Sequence, residues 1–183
     1  MRKQTLQSAV TAALVILLTS TVYAAPGSVK LSPKDLTLAG TDVLCIVDFD
    51  RMALIPKTLG PEMAAGIREV FQRDYGDKGI EVTGESRSGE SVIVLSGKIN
   101  GYSYSRGVKM GGSKGENSIR ASFTITDGTG KELASGKVTA APWEHFVQKT
   151  TRDELIEIAA MYLSDALAKA MGFEPVPREW DKD

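Results

Sequence analysis

Alternating hydrophobic and polar positions along the chain predict several β-strands. In residues 118–126 every second side chain is apolar, and these side chains are Ile119, Ala121, Phe123 and Ile125. Because successive side chains of a strand point to opposite faces, this alternation predicts one buried face and one polar face. Residues 43–49 form an apolar run that ends in Asp48 and Phe49, which predicts a strand covered on both faces. Residues 80–85, 92–104 and 133–140 complete the set of predicted strands.

Helical spacing of apolar residues predicts two amphipathic helices. The first covers residues 59–75, with Pro61 and Glu62 in its first turn, where proline and an acidic side chain are favoured. The second covers residues 151–171, and its Thr151 and Glu154 have the spacing of a capping box. The predicted order of elements is therefore β-α-β-β-β-β-α. This order indicates the α+β class, with both helices packed on one face of a small mixed, largely antiparallel sheet.

The amino-terminal segment has the features of a secretory signal peptide. Arg2 and Lys3 precede an apolar stretch at residues 9–18. Small residues stand where a signal peptidase acts, so we predict cleavage between Ala24 and Ala25. An uncleaved membrane anchor is the alternative, but the apolar stretch is short for a bilayer core about 30 Å thick. We expect a periplasmic protein without a stable membrane anchor.

These features divide the chain into four parts. Residues 1–24 form the predicted signal peptide, 25–41 an irregular lead-in, 42–172 a single α+β domain and 173–183 a polar carboxyl-terminal tail. The lead-in has prolines among mostly polar residues, and the tail has prolines among many charged ones. Both segments are therefore predicted to be irregular.

The charge balance argues against nucleic acid as a partner. The full chain has 22 basic and 23 acidic residues, and removal of Arg2 and Lys3 leaves 20 against 23, a net charge of −3. The sequence has no block of lysines and arginines of the kind that binds phosphate backbones.

The single cysteine, Cys45, cannot form a disulfide within the chain. It lies inside the apolar run at residues 43–47, which predicts a small buried side chain. An intermolecular disulfide or a reactive thiol is the alternative. A lipid anchor would need a cysteine just after the signal sequence, where position 25 is alanine.

Three features suggest chemistry, and each has a simpler interpretation. Asp48 and Asp50 form an Asp-x-Asp pair at a strand end, where metal ligands occur in other proteins, but no further ligands stand out. His145 is the only histidine, so a site with two histidine ligands is excluded. We interpret residues 142–146 as a loop that packs its aromatic side chains before the last helix.

The third feature is the segment of residues 107–115, which is rich in glycine and lysine. Ser113 precedes Lys114 there, which is the wrong order for a phosphate-binding P-loop. The segment also joins two predicted strands instead of leading into a helix, so we interpret it as a flexible hairpin loop. We predict no catalytic residues, no cofactor and no metal site.

Three segments resemble a bacterial envelope family known only as a domain of unknown function, DUF4410. They are residues 44–49 (LCIVDF), 94–99 (VLSGKI) and 119–134 (IRASFTITDGTGKELA). The layout is also similar to periplasmic domains of curli-secretion lipoproteins, Tol-type translocation proteins and lipoprotein activators of peptidoglycan synthases. The resemblance covers residues 42–171 and implies a binding or assembly module of the envelope, without catalytic residues to carry over. Many relatives are lipoproteins, whereas this chain lacks the lipobox cysteine.

Three hypotheses about function follow. The leading one is a non-enzymatic periplasmic module that binds another envelope protein. The alternative is a small-ligand carrier or hydrolytic enzyme that uses Asp48, Asp50 or His145, which requires these side chains to converge in a deep pocket. The third is a homo-oligomer paired through an exposed edge of the sheet.

Overall fold

The computed structural model describes residues 27–103, 117–141 and 151–178. This part of the chain has seven strands, two α-helices and one short 3₁₀ turn. The strands are β1 (Gly27–Ser32), β2 (Val43–Ile46), β3 (Asp50–Arg51), β4 (Glu81–Thr83), β5 (Val92–Ser103), β6 (Ser118–Asp127) and β7 (Glu132–Ala140), and the helices are α1 (Leu59–Tyr75) and α2 (Arg152–Ala170). The five predicted strands correspond to β2, β4, β5, β6 and β7, and both predicted helices are present.

All seven strands belong to one mixed sheet. Its order is β1-β7-β6-β5-β2-β4, and the short β3 also pairs with β5. The pairs β1–β7, β7–β6 and β6–β5 are antiparallel. β2 runs parallel to both β5 and β4, and α1 lies on the crossover between β2 and β4 that a parallel pair requires. The prediction of an α+β fold with a largely antiparallel sheet is confirmed.

The two helices cover one face of the sheet, which we call the covered face. The β6 side chains on this face are at most 3% exposed; they are Ile119, Ala121, Phe123 and Ile125. They share one apolar core with residues of α1 and α2. The alternate side chains of β1, β5, β6 and β7 form the other face, which we call the open face; it is closed at its β2 end, where Cys45, in register with Val94, is fully buried. On β6 these are Arg120, Ser122, Thr124 and Thr126, all of them exposed or half-buried.

Helix α1 has the bounds that its apolar spacing predicts. One stripe of the helix is buried, and its large members are Leu59, Met63, Ile67, Val70, Phe71 and Tyr75. After the helix a 3₁₀ turn at Gly76–Lys78 leads to Gly79, whose φ of 78° is in the left-handed region that glycine favours. The chain then turns directly into β4.

Helix α2 begins with the predicted capping box. The backbone N–H of Glu154 donates to Thr151 Oγ1 at 3.2 Å, and the backbone N–H of Thr151 donates to Glu154 Oε2 at 2.6 Å. Two amino-terminal N–H groups are thereby satisfied. The helix packs along α1, where a Cβ on Gly66 would lie 2.8 Å from the Ile156 side chain. Small residues at this contact therefore let the two helices approach closely.

Two segments that the sequence analysis treats as irregular take part in the fold. Within the predicted lead-in, β1 pairs with β7 over its whole length. Val29 and Leu31 alternate there with polar residues, and they pack on the core. Within the predicted tail, Val176 also packs on the core and the Arg178 side chain is only 9% exposed. Both segments are too short and polar for their sequence to predict a structure. Contacts with residues far away in the chain hold them in place.

Candidate functional site

The two aspartates singled out in the sequence do not form a site with each other. Asp48 lies in the irregular segment after β2, and Asp50 is the first residue of β3; both are exposed. No ion pair or hydrogen bond joins either carboxylate to another described residue. Among residues 27–103, 117–141 and 151–178, no group of three or more His, Cys, Asp or Glu side chains is placed to hold a metal ion.

The other sequence candidates are a buried thiol and two features beyond the described residues. Cys45 is a free cysteine with 0% of its surface exposed, as its apolar run predicts. His145 and the glycine-rich segment of residues 107–115 lie outside the described residues. The interpretation of that segment as a hairpin loop stays a prediction. The same holds for the predicted signal peptide, residues 1–24, which also lies outside the described residues.

The densest arrangement of charged side chains is one that the sequence analysis did not find. We call Asp74, Tyr75, Asp165 and Arg178 the ionic cluster. Arg178 donates through Nε and Nη2 to both carboxylate oxygens of Asp165, at 3.0 and 2.6 Å. Its Nη1 donates to Asp74 Oδ2 at 2.7 Å. The Tyr75 hydroxyl donates to Asp165 Oδ1 at 2.5 Å and accepts the backbone N–H of Val176 at 3.1 Å.

The electrostatics of the ionic cluster favour its paired, charged form. Burial opposes ionisation of Asp74, but hydrogen bonds from Arg73 and Arg178 outweigh it, so the pKa of Asp74 lies below the usual 3.8. Burial, together with the hydrogen bond to Asp165, raises the pKa of Tyr75, so that its phenol stays protonated as a donor. Each charge faces a partner, and we assign the cluster to fastening the carboxyl-terminal segment onto α1 and α2.

The loop between β3 and α1 exposes two apolar side chains. Met52 is 50% exposed and Leu54 is fully exposed. The backbone beneath them is held by Arg51, whose Nη1 donates to the carbonyl oxygens of Met52, Ala53 and Ile55 at 3.3, 3.4 and 2.9 Å. The loop therefore presents these two side chains at a fixed position on the surface. We call Met52 and Leu54 the apolar tip.

Two further features bear on ligands and membranes. An apolar crevice between the sheet and α2 is too narrow to admit a water molecule; its lining residues are Leu31, Phe123, Ile125, Leu163, Ala166 and Leu167. It contains neither Asp48 nor Asp50. Among the described residues, no helix has the length and apolar character needed to cross a membrane.

The geometry thus defines a small α+β domain with a helix-covered sheet. No protein-family model matches the chain, and no curated protein matches it. Among solved structures, the chain is similar to the PelC dodecamer from Paraburkholderia phytofirmans, at a TM-score of 0.52 and 19% identity over 75% of this chain and 96% of that one. A PelC variant dodecamer from the same organism gives a TM-score of 0.55 and 20% identity over 79% of this chain and 97% of that one. At these identities the matches show a shared fold.

A more distant match is a neuraminyllactose-binding hemagglutinin homolog from Helicobacter pylori. It aligns with 67% of this chain and 74% of its own chain at 14% identity and a TM-score of 0.35. This score is too low to support an argument about fold or function. The resemblance to DUF4410 stays a prediction.

Proposed function

We propose that the chain is a non-enzymatic binding module of the bacterial cell envelope that acts in the periplasm after removal of its signal peptide. The observation that carries the proposal is the distribution of charged groups. The most buried charges form the ionic cluster, where each has a partner and together they fasten the carboxyl-terminal segment. Asp48 and Asp50 are exposed, and neither belongs to a group of described side chains placed to hold a metal ion. We infer that the described part of the domain acts by binding other molecules on its surface.

Self-assembly is the second part of the proposal. The two PelC structures of similar fold are dodecamers, which favours an oligomer for this chain as well. Among the described strands, β1 and β4 end the sheet, and a strand edge without a neighbour offers backbone donors and acceptors to a further strand. We infer that copies of the chain associate, and that the apolar tip supplies the contact with another envelope protein.

The partner is tested by affinity recovery from envelope extracts. The full chain, expressed with its own leader and carrying a carboxyl-terminal tag, is expected to recover a specific protein. Leu54→Ser removes the fully exposed apolar side chain and should abolish that recovery. Ala53→Ser changes an exposed neighbour in the same loop and should leave it intact. Repeated recovery of no protein, or equal recovery by both variants, would contradict the role of the apolar tip.

Export and self-assembly have separate measurements. The intact mass of the protein from the periplasmic fraction should correspond to a chain beginning at Ala25. Light scattering of that material should give a mass several times that of one chain. A protein retained in the cytosol with its first residues intact would contradict the proposed periplasmic location. A monomer at high concentration would overturn self-assembly and leave the partner experiment unaffected.

A further inference from the structure

The open face of the sheet carries a line of lysines that only the strand register brings together. Lys30 of β1 lies directly opposite Lys137 of β7, which lies opposite Ser122 of β6. Ser122 in turn lies opposite Lys98 of β5. Since neighbouring strands are about 4.8 Å apart, these four positions span about 15 Å across the sheet. We call Lys30, Lys98 and Lys137 the lysine row; all three side chains are exposed.

The cations of the lysine row have no hydrogen-bond or ion-pair partner among the described residues, which is also true of Lys57 and Lys169 but not of the arginines elsewhere in the fold. Lys30 and Lys137 lie directly opposite each other on neighbouring strands. Like charges in such a pair repel and lower the stability of the sheet. Arg120, in the adjacent position on β6, adds a fourth exposed cation. No described carboxylate forms an ion pair with any of the four. The other described arginines all have hydrogen-bond or ion-pair partners; they are Arg51, Arg68, Arg73, Arg87, Arg152 and Arg178.

Acidic side chains are few on this face. Asp50 of β3 is in register with Lys98. Glu132 lies at the β6–β7 turn, in register with Thr126. Along the open face of β7, Ser135 stands between Glu132 and Lys137. Lys98 thus has a carboxylate in the neighbouring register position, whereas Lys30, Lys137 and Arg120 have none, in a chain whose net charge is negative.

Small hydroxyl side chains fill the open face around the cations. They are Ser28, Ser32, Ser96, Ser122, Thr124, Ser135 and Thr139. The large exposed apolar side chains of the described residues, Met52 and Leu54, lie in the β3–α1 loop and not on these strands. The cores of protein interfaces are enriched in aromatic residues and depleted in lysine, so a protein partner fits this surface poorly. Cations interleaved with hydroxyls suit a ligand that has both carboxylates and hydroxyl groups.

We propose that the open face binds an acidic glycan, a linear carbohydrate with carboxylate groups, laid across the strands along the lysine row. The lysines form ion pairs with the carboxylates of the glycan. The serine and threonine hydroxyls form hydrogen bonds with the sugar hydroxyl groups. This proposal deepens the proposed binding role, on which it rests, by naming a ligand class and a second surface distinct from the apolar tip. Binding through exposed charges weakens as salt screens them.

The test uses the full chain processed from its own leader, with polygalacturonate oligomers as the probe and titration calorimetry as the measurement. Wild type is expected to bind at low salt and to lose affinity as salt rises. The triple variant Lys30→Gln/Lys98→Gln/Lys137→Gln should bind at least about tenfold more weakly and with a flatter salt dependence. Its thermal midpoint should equal or exceed that of wild type, because like charges are removed, so lost binding is separable from lost folding.

A matched variant controls for net charge. Lys57→Gln/Lys78→Gln/Lys169→Gln removes three exposed lysines on the helical side of the domain, and its affinity should stay within about twofold of wild type. Equal loss in the two triple variants would overturn the proposal, and so would equal binding of neutral dextran. Wild type that binds anionic phosphatidylglycerol vesicles but not polygalacturonate would assign the face to a membrane surface instead. Failure with the glycan while a protein is still recovered through the apolar tip would reject this inference alone.

Discussion

The covered and open faces of the sheet consist of alternate residues of the same strands, but they differ in how their groups are satisfied. On the covered face, apolar side chains of β5, β6 and β7 meet two helices and are almost entirely buried. On the open face, the same strands present hydroxyls and cations to solvent. The first face gains stability by removing apolar surface from water. The open face keeps lysines close together without ion pairs, which does not stabilise the fold. This composition therefore indicates a role in binding.

The largest expected difference between the faces comes from neighbouring residues of β6. Phe123→Ala should lower the free energy of unfolding by about 3–5 kcal/mol, because it removes a ring that fills the core. Thr124→Ala, on the open face, should change it by less than about 0.5 kcal/mol. Urea denaturation followed by circular dichroism measures both. Similar losses for the two variants would show that the open face is covered as well.

The ionic cluster extends the covered side to the carboxyl-terminal segment, and its removal should have the next largest effect. Arg178→Leu leaves two carboxylates without their shared cation and should cost about 2–3 kcal/mol, below the figure for a fully buried pair. Arg73→Leu removes a half-exposed partner of the same Asp74 and should cost less than about 1 kcal/mol. Limited proteolysis should also release the segment in the first variant only. Equal stability of both variants would mean that the segment is not fastened by Arg178.

Acid should weaken the ionic cluster through Asp74. Because the folded pKa of Asp74 lies below its unfolded value, its contribution is present above about pH 4 and is lost as the pH falls through the folded pKa. The urea midpoint of wild type should therefore fall below pH 4 more steeply than that of Asp74→Asn, whose loss at neutral pH should be about 1 kcal/mol. Asp77→Asn, an exposed carboxylate close by, should keep the wild-type slope. Parallel slopes for wild type and Asp74→Asn would contradict this assignment.

The smallest expected effect is on the open face and has the opposite sign. Lys30→Thr removes one of two cations that lie directly opposite each other and adds a residue suited to strands. It should raise the free energy of unfolding by about 0.2–0.5 kcal/mol at low salt, and by less at high salt. Lys57→Thr, in the loop before α1, should leave it unchanged. A loss of stability in Lys30→Thr would show that Lys30 has a stabilising contact and would weaken the contrast between the faces.

The two faces also differ in how far the sequence reveals them. The alternation in β6 and the capping box of α2 are local patterns, and both predicted the structure directly. The lysine row depends on the pairing of β1 with β7, which joins residues more than 100 positions apart, such as Lys30 and Lys137. β1 itself has only two large apolar residues, so its local pattern is weak.

The ionic cluster was missed for the same physical reason. Asp74, Asp165 and Arg178 come from the end of α1, from α2 and from the carboxyl-terminal segment. In sequence each is an ordinary charge on a polar helix face or in a proline-containing tail. Only the packing of α1 along α2 brings the two carboxylates within reach of one guanidinium.

The complete burial of Cys45 gives the protein a built-in reporter of its own opening. This thiol lies on β2, in register with Thr83 of β4 and Val94 of β5, with no surface exposed. A thiol-specific reagent reaches it only when the structure around β2 opens, so the rate of labelling measures how often this opening occurs. Because the chain has no other cysteine, a single mass increment counts the opened molecules without any engineered probe.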